Sequence, residues 1–291
     1  MPISQNATML RALLLSLFTC LILFGCTPGA QEVKYEPRPK VYDSAVSLSP
    51  GCTELIGSVS YNVPILGRTA ACNFPPNVKG APVVAQVKPD YEKIKSLNPG
   101  IVIYDASLYN DQDIAQIKAM GIDTFAFKAK TIDEFVEEVR QFGSLMSAEM
   151  DASTYVDKIL AERKVAQANG LNPKPRVVLL MAGAGGEHYI AGTRGFHADA
   201  IRAAGGEPVG PEQDRYVPID AEALIKLNPD MILTAGSPDA IVNDPRLKSM
   251  PAIAKVRVRG IPQDLTTRMG FRVDREINMM GRALAEMSRI N

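Results

Sequence analysis

The amino-acid sequence predicts an α/β protein of two Rossmann-like lobes, each with a mostly parallel sheet, joined by a long rigid helix. Three observations lead there. Short apolar runs alternate with segments whose apolar residues recur at three- and four-residue spacing, the pattern of βα units. A stretch at 90–103, Asp-Tyr-Glu-Lys-Ile-Lys-Ser-Leu-Asn-Pro-Gly-Ile-Val-Ile, recurs 130 residues later as Asp-Ala-Glu-Ala-Leu-Ile-Lys-Leu-Asn-Pro-Asp-Met-Ile-Leu. Five of its fourteen positions are identical and the last three are apolar in both copies, at an offset that fits a duplicated lobe rather than a solenoid repeat. Between the copies, 147–170 is rich in Ala, Leu, Lys and Glu and reads as one long helix.

The elements follow in chain order. Runs at 41–48, 63–67, 101–104 and 122–127 read as buried strands of a first lobe, 41–146. Ser49 followed by Pro50 is an N-cap with Pro at the first helical position, so a helix begins there. Further helices are predicted at 91–97 and 111–120. In each repeat copy the leading acid, Asp90 or Asp220, caps the free N–H groups of its helix, Asn-Pro ends it, and an apolar strand follows. Thr131-Ile-Asp-Glu134 opens another helix as a capping box. The connecting helix at 147–170 is long enough to act as a strut, since about 20 residues of helix span roughly 30 Å. The second lobe, 171–291, has strands at 176–181, 231–234 and 256–261. Two lobes on one strut leave a cleft that can grip a ligand with limited hinge motion.

Composition narrows the function. The 291 residues include 32 basic and 32 acidic ones, with 46% apolar and 22% charged. These proportions exclude a disordered chain, a collagen and a multi-span membrane protein, and the neutral balance argues against a phosphate-tracking nucleic-acid binder. With only two histidines, His188 and His197, and four cysteines, no catalytic metal cluster is expected. No Gly-x-Ser-x-Gly elbow, His-Glu-x-x-His or phosphate loop is present, so a secreted α/β enzyme is the weaker reading.

The amino-terminal region reads as an address. After Arg11 come fourteen nearly all apolar residues, 12–25, too few for a span of about 20 but right for a secretory signal. Leu23-Phe24-Gly25-Cys26 resembles the lipobox of bacterial lipoproteins, which implies removal of a signal peptide at 1–25 and acylation of Cys26. The mature chain would carry 31 basic and 32 acidic residues, Arg11 being the charge lost with the signal. Pro28, Pro37 and Pro39 among polar residues make 26–40 an extended tether. Export permits a disulfide, and Cys52 and Cys72 are the two thiols left to form one; buried free thiols are the alternative.

From 41 onward the chain resembles the substrate-binding proteins of ABC importers for iron-siderophores, haem and cobalamin. The resemblance covers nearly the whole mature chain. It rests on Ser47-Leu-Ser-Pro-Gly-Cys-Thr-Glu54, Leu66-Gly-Arg-Thr-Ala-Ala-Cys-Asn-Phe-Pro75, Glu92 with Leu97-Asn-Pro99, Ala203-Ala-Gly-Gly206, and Glu222 with Leu227-Asn-Pro-Asp230. Within that family the chain is most similar to the cobalamin-binding branch, of which the Gly-Arg-Thr…Cys-Asn-Phe-Pro segment is typical. The resemblance implies a periplasmic binding fold with a helical backbone. It implies that Glu92 and Glu222 dock onto arginines of the two permease subunits, one per lobe. It also implies that Asp264 and Arg268 contact the amide side chains of a corrin, and that Gln86 and Tyr216 stand where cleft tryptophans are found. The chain has no Trp, so part of that aromatic wall is missing.

The residues also bear readings of their own. An acid at the second helical position, as at Glu92 and Glu222, complements the helix dipole by under about 1 kcal/mol, whether or not it docks. Two exposed ion pairs would contribute little energy but would set a register and speed encounter. Arg268, Arg272 and Arg275 fall on one face if their segment is helical, either as a ligand site or as a solvated basic face. An Asp beside an Arg suits neutral amides, whereas arginines alone suit carboxylates or an anionic siderophore. Arg68, read as part of the loop after a strand, is a ligand contact by position. His188 and His197 flank the glycine-rich Gly183-Ala-Gly-Gly-Glu187, as axial ligands for haem iron or cobalt or as surface residues. Phe196 and Tyr216 offer flat apolar surface to a macrocycle.

The protein expected is a monomeric, extracytoplasmic receptor held to the membrane only by its lipid anchor. It binds cobalamin or a related corrinoid between its lobes and delivers it to an ABC permease dimer with its ATPase subunits. It has no cofactor of its own, and haem or a ferric siderophore is the alternative cargo.

Overall fold

The structure, a computed structural model, describes residues 40–183 and 186–287. The signal peptide at 1–25, Cys26 and all of the tether except Lys40 lie outside the described residues.

A first sheet has five parallel strands in the order β3-β2-β1-β4-β5: β1 (Ala45–Ser47), β2 (Ile65–Thr69), β3 (Val83–Ala85), β4 (Ile101–Asp105) and β5 (Asp123–Phe127). Alternate residues serve opposite faces. Ala45, Ile101 and Ile103 pack on Leu55 and Ile56 of α1 (Pro50–Val59), while Val46 and Val102 pack on Ile94 of α2 (Tyr91–Leu97) and on Ile114 and Ile117 of α3 (Asp111–Ala119). With helices on both faces, the central strands β1 and β4 are continuous apolar runs rather than alternating ones.

The second sheet runs β11-β10-β6-β7-β9, with β8 beside β6: β6 (Arg176–Ala182), β7 (His188–Ala191), β8 (Glu207–Pro208), β9 (Tyr216–Ile219), β10 (Met231–Ala235) and β11 (Val258–Ile261). It is mixed, because β7 runs antiparallel to both β6 and β9. Strands β3, β7, β8 and β9, of two to four residues each, are not among the strands the sequence reading has. The strand expected from 256 starts two residues later, since exposed Val256 takes a left-handed φ of 55°, which a strand cannot accommodate.

The long helix is α5 (Glu149–Ala168), preceded by α4 (Ile132–Leu145). It begins after Ser147 rather than at it, because Ser147 turns the chain through a left-handed φ of 50°. The expected capping box opens α4: Thr131 Oγ1 accepts from Glu134 N at 3.1 Å and Glu134 Oε2 accepts from Thr131 N at 3.2 Å. Helix α5 buries Ala152, Tyr155, Val156 and Ile159, a stripe at helical spacing. The Tyr155 hydroxyl donates to Gly270 O at 2.7 Å and accepts from Val273 N at 3.0 Å, which fastens the strut to the start of α11 (Val273–Glu286), the helix that follows the short α8 (Asp239–Val242), α9 (Pro251–Ala254) and α10 (Gln263–Thr266). One apolar core therefore runs from Ile103 through Phe142, Tyr155 and Ile159 to Val177 and Leu233, and Pro39–Asn291 is a single unit of contacts.

The two repeat copies match down to their caps. Asp90 Oδ1 accepts from Lys93 N at 3.0 Å, and Asp220 Oδ1 accepts from Ala223 N at 2.7 Å at the head of α7 (Ala221–Leu227). Each helix ends on an asparagine in the left-handed region, Asn98 with φ 45° and Asn228 with φ 43°. The glycine-like turn falls on Asn, whose short amide tolerates it.

Candidate ligand cleft

A cavity of about 530 Å³ lies between residues of the two sheets, within the size range of small-molecule sites. Its first wall is made by the turns at the carboxyl ends of β4 and β5, Asp105-Ala-Ser107 and Lys128-Ala-Lys130, the usual position for ligand contacts on a parallel sheet. The second wall is made by Phe196 and His197 at the start of α6 (Phe196–Ala203), by Asp214, Arg215 and Tyr216 entering β9, and by Thr267 and Met269.

The lysine turn is held from below. Glu138 of α4 is buried, and its carboxylate accepts from Lys128 N and Ala129 N at 3.1 and 3.2 Å. Burial pushes the Glu138 carboxyl up, while those two amides work the other way. Lys130 reaches Asp214 across the cavity at 2.9 Å, and that contact holds the Asp214 carboxyl below the usual range. Lys128 and Arg215 stand exposed on either side, giving the cleft a modest positive balance.

His197 is the most chemically pointed group in the cavity. Its Nδ1 is 2.8 Å from Oε1 of Glu276 on α11, a carboxylate with no solvent exposure, and its ring stands edge-on to Phe196 and tilted against Tyr216. No hydrogen bond to Nε2 is found among the described residues. Tyr216 is anchored by donating to Thr266 O at 3.0 Å, and burial pushes its phenol up. Phe196 also lines the cavity but is only 8% exposed. Its ring packs edge-on against Phe135 of α4 at 5.3 Å, so it joins the core and offers the cavity little of its face.

Other predicted site residues are placed elsewhere. Arg68 lies within β2 and not in the following loop. It donates to the backbone oxygens of Ala81, Thr69 and Lys79, stapling 69–81 instead of facing a ligand. Gln86 is exposed beyond β3 and is not part of the cavity wall. Arg268 and Arg272 precede α11 and share no helical face with exposed Arg275, so the expected basic stripe gives way to a seam between the two halves. Arg272 clasps buried Glu54 of α1 through Nε at 3.0 Å and Nη2 at 2.5 Å, and its guanidinium lies over Phe74 at 5.0 Å. Arg268 donates to Glu54 at 3.2 Å, to Asn73 at 2.7 Å and to Asp264 at 2.7 Å. The anticipated Asp264–Arg268 pair thus forms, but the arginine is spent on the seam. The backbones meet beside it: a Cβ on Gly51 would stand 2.3 Å from Met269 O.

Cys52 and Cys72 are buried free thiols, which replaces the candidate disulfide. Cys72 is satisfied by the hydroxyls of Thr53 and Thr69 at 2.9 and 3.1 Å, and burial pushes the Cys52 thiol well up. His188 belongs to β7 and not to a loop. Buried, it meets Asp244 at 2.7 Å and takes no part in the cavity. Glu92 and Glu222 are exposed at the second position of their helices, as the capping pattern requires.

Two sheets are tied by a long helix, and a walled cavity lies between them. Residues 46–265 match the periplasmic binding protein family, and the chain belongs to it. Relatives include the uncharacterized ABC transporter substrate-binding lipoprotein YvrC of Bacillus subtilis, 26% identical over 84% of this chain and 79% of that one. The high-affinity heme uptake system protein IsdE of Staphylococcus aureus strain Newman is 24% identical over 77% of this chain and 76% of its own length. Solved structures of the same fold include the vitamin B12 binding protein BtuF of Vibrio cholerae (TM-score 0.75, 16% identity, 86% of this chain and 99% of that one). Another is the periplasmic heme-binding protein BhuT in complex with two hemes (TM-score 0.72, 20% identity, 84% and 98%). No helix among the described residues is long and apolar enough to cross a membrane.

Proposed function

We propose that the protein is the extracytoplasmic receptor of an ABC importer and carries a metal tetrapyrrole in this cleft. The observation that carries the reading is His197, an imidazole on the cavity wall, fixed through Nδ1 by a buried carboxylate while Nε2 makes no bond. That is the arrangement in which histidines ligate metals. Haem fits best. Its iron accepts an axial imidazole, its two propionates match Lys128, Lys130 and Arg215, and Tyr216 supplies ring surface. IsdE and BhuT, a relative and a fold neighbour, carry haem in their names. A corrinoid is the second reading, supported by the fold shared with the vitamin B12 binding protein BtuF. In either case Glu92 and Glu222 dock the two halves onto the permease subunits, and Cys26 holds the lipid anchor. Binding breaks no bond, and delivery depends on the permease opening the cleft.

Titration of the soluble protein, begun after Thr27, with haemin, cyanocobalamin, cobinamide and a ferric hydroxamate siderophore tests the cargo. The expected result is a saturable one-to-one shift of the Soret band that His197→Ala abolishes. Tight binding of cyanocobalamin with no haemin response selects the corrinoid, and silence with all four overturns the receptor reading.

A further inference from the structure

We propose that Glu276 is the positioning residue of the cleft: its carboxylate keeps a proton on Nδ1 of His197 and so leaves Nε2 bare toward the cavity. The use made of that bare nitrogen, coordination of the cargo's metal, rests on the tetrapyrrole reading; the orientation itself does not.

Glu276 interrupts the apolar face of its helix. The buried face of α11 is otherwise Val273, Ile277, Met280, Ala283 and Leu284, a plain amphipathic stripe. An acid in that row has no exposure at all, and its Oε2 is a buried oxygen without a hydrogen-bond partner. Buried carboxylates are costly, and replacing a buried ionic pair by apolar side chains is often neutral or stabilising. Its place in the first turn of α11 suits the helix dipole by under about 1 kcal/mol, less than the cost of burying the carboxylate.

What the pair gains is a defined tautomer. Neutral imidazole has one N–H and one bare nitrogen, and a hydrogen bond at one decides the state of the other. A Glu276 carboxylate accepting across this 2.8 Å contact, as proposed, puts the N–H on Nδ1 and the lone pair on Nε2. Were the carboxyl protonated and donating, Nε2 would carry the hydrogen and could not bind a metal. Phe196 and Tyr216 flank the ring, so the carboxylate fixes its plane as well. Outer partners of this kind change metal affinity by about 10- to 100-fold when removed.

The test starts from the ligand-free protein. With two histidines in the chain, ¹⁵N spectra of the imidazoles at about pH 8, where a free imidazole is neutral, show two rings, and His188→Gln assigns them. Wild-type His197 should carry its proton on Nδ1. Glu276→Met removes the acceptor at similar length and should move the proton to Nε2, the tautomer free histidine prefers. Haemin should then bind about 10- to 100-fold more weakly. Glu276→Gln, whose amide oxygen can still accept, should recover part of both losses. A wild-type ring with Nδ1 bare, or a tautomer unchanged in Glu276→Met, overturns the assignment. A protein that binds neither haemin nor cyanocobalamin yet shows the Nδ1 proton and its shift in Glu276→Met removes the cargo reading and upholds the role of Glu276.

Discussion

Glu54→Gln is the most direct probe of how the two halves are fastened. Glu54 is 1% exposed and accepts three hydrogen bonds from Arg272 and Arg268, at 3.0, 2.5 and 3.2 Å. The amide keeps the shape but removes the charge, and turns an NH₂ toward two guanidinium groups. Removing one partner of a buried ion pair costs about 3–5 kcal/mol. The lower end applies here, because Arg268 keeps Asp264 and Asn73 at 2.7 Å and Arg272 keeps Phe74 and a longer contact to Asp264 at 3.7 Å. A loss of about 3 kcal/mol corresponds to a fall in Tm of roughly 6–12 °C for a protein of this size. Far-UV circular dichroism of the soluble form measures it. A double-mutant cycle with Arg272→Met should show coupling of at least about 1 kcal/mol. A loss under about 1 kcal/mol, or strict additivity, would refute the view that this cluster carries the seam.

Further outcomes are expected. The double variant Glu92→Ala, Glu222→Ala should retain the wild-type affinity for cargo and lose uptake in cells; uptake at the wild-type rate removes the docking role. Cys52 and Cys72 should be inert to a thiol reagent in the native soluble protein and both react once it is unfolded, with no mass change on reduction; a two-hydrogen mass difference contradicts the free thiols. Arg246 above all, with help from His188, holds the Asp244 carboxyl far below its ordinary range. Its stabilising effect is therefore complete above an unfolded-state pKa of about 4 and is lost as pH falls toward the depressed folded value. The stability gap between wild type and Asp244→Asn, from urea unfolding at about pH 6, 4 and 3, should narrow with acid; a constant gap counts against it.

What the sequence revealed depended on how local the cause was. Caps and their helices were legible because a side chain two or three residues away decides them: Ser49, Asp90, Thr131 and Asp220 all cap as the pattern indicates. Apolar strands of five or more residues were legible too, whereas β7, β8 and β9 are held by neighbours distant in sequence and leave no periodic trace. In the cleft, Tyr216 and His197 were accessible by residue type. Lys128, Lys130 and Ser107 carried only a positional signal, as polar residues just past a strand's carboxyl end. Glu276 carried none, since its partner lies 79 residues away. The arginines were misplaced for the same reason: a guanidinium looks alike in sequence whether it meets a ligand, backbone oxygens or an acid 218 residues away.

The seam also determines where the cleft can open. Among the described residues, three contacts between the halves bear on how the cavity opens. At one, Glu54 and its arginines are buried beside the backbone contact of Gly51 with Met269. At the second, Phe135 packs on Phe196, and Asp199 caps α4 by accepting from Ile132 N at 2.8 Å. Only the third, Lys130 with Asp214, is between side chains that are 60% and 47% exposed. An exposed pair of this kind contributes about 0–1 kcal/mol, whereas breaking a buried one costs several times more. The third contact is therefore the weakest of these, and on the receptor reading proposed above the cavity would open at the Lys130 side, with cargo passing between Lys130 and Asp214. An anionic edge gains from this at once, since it can take over the lysine that the aspartate releases, whereas a ligand fringed with neutral amides must compete for both. On the haem reading, cleft opening and selection of an anionic cargo would thus rest on the same ion pair.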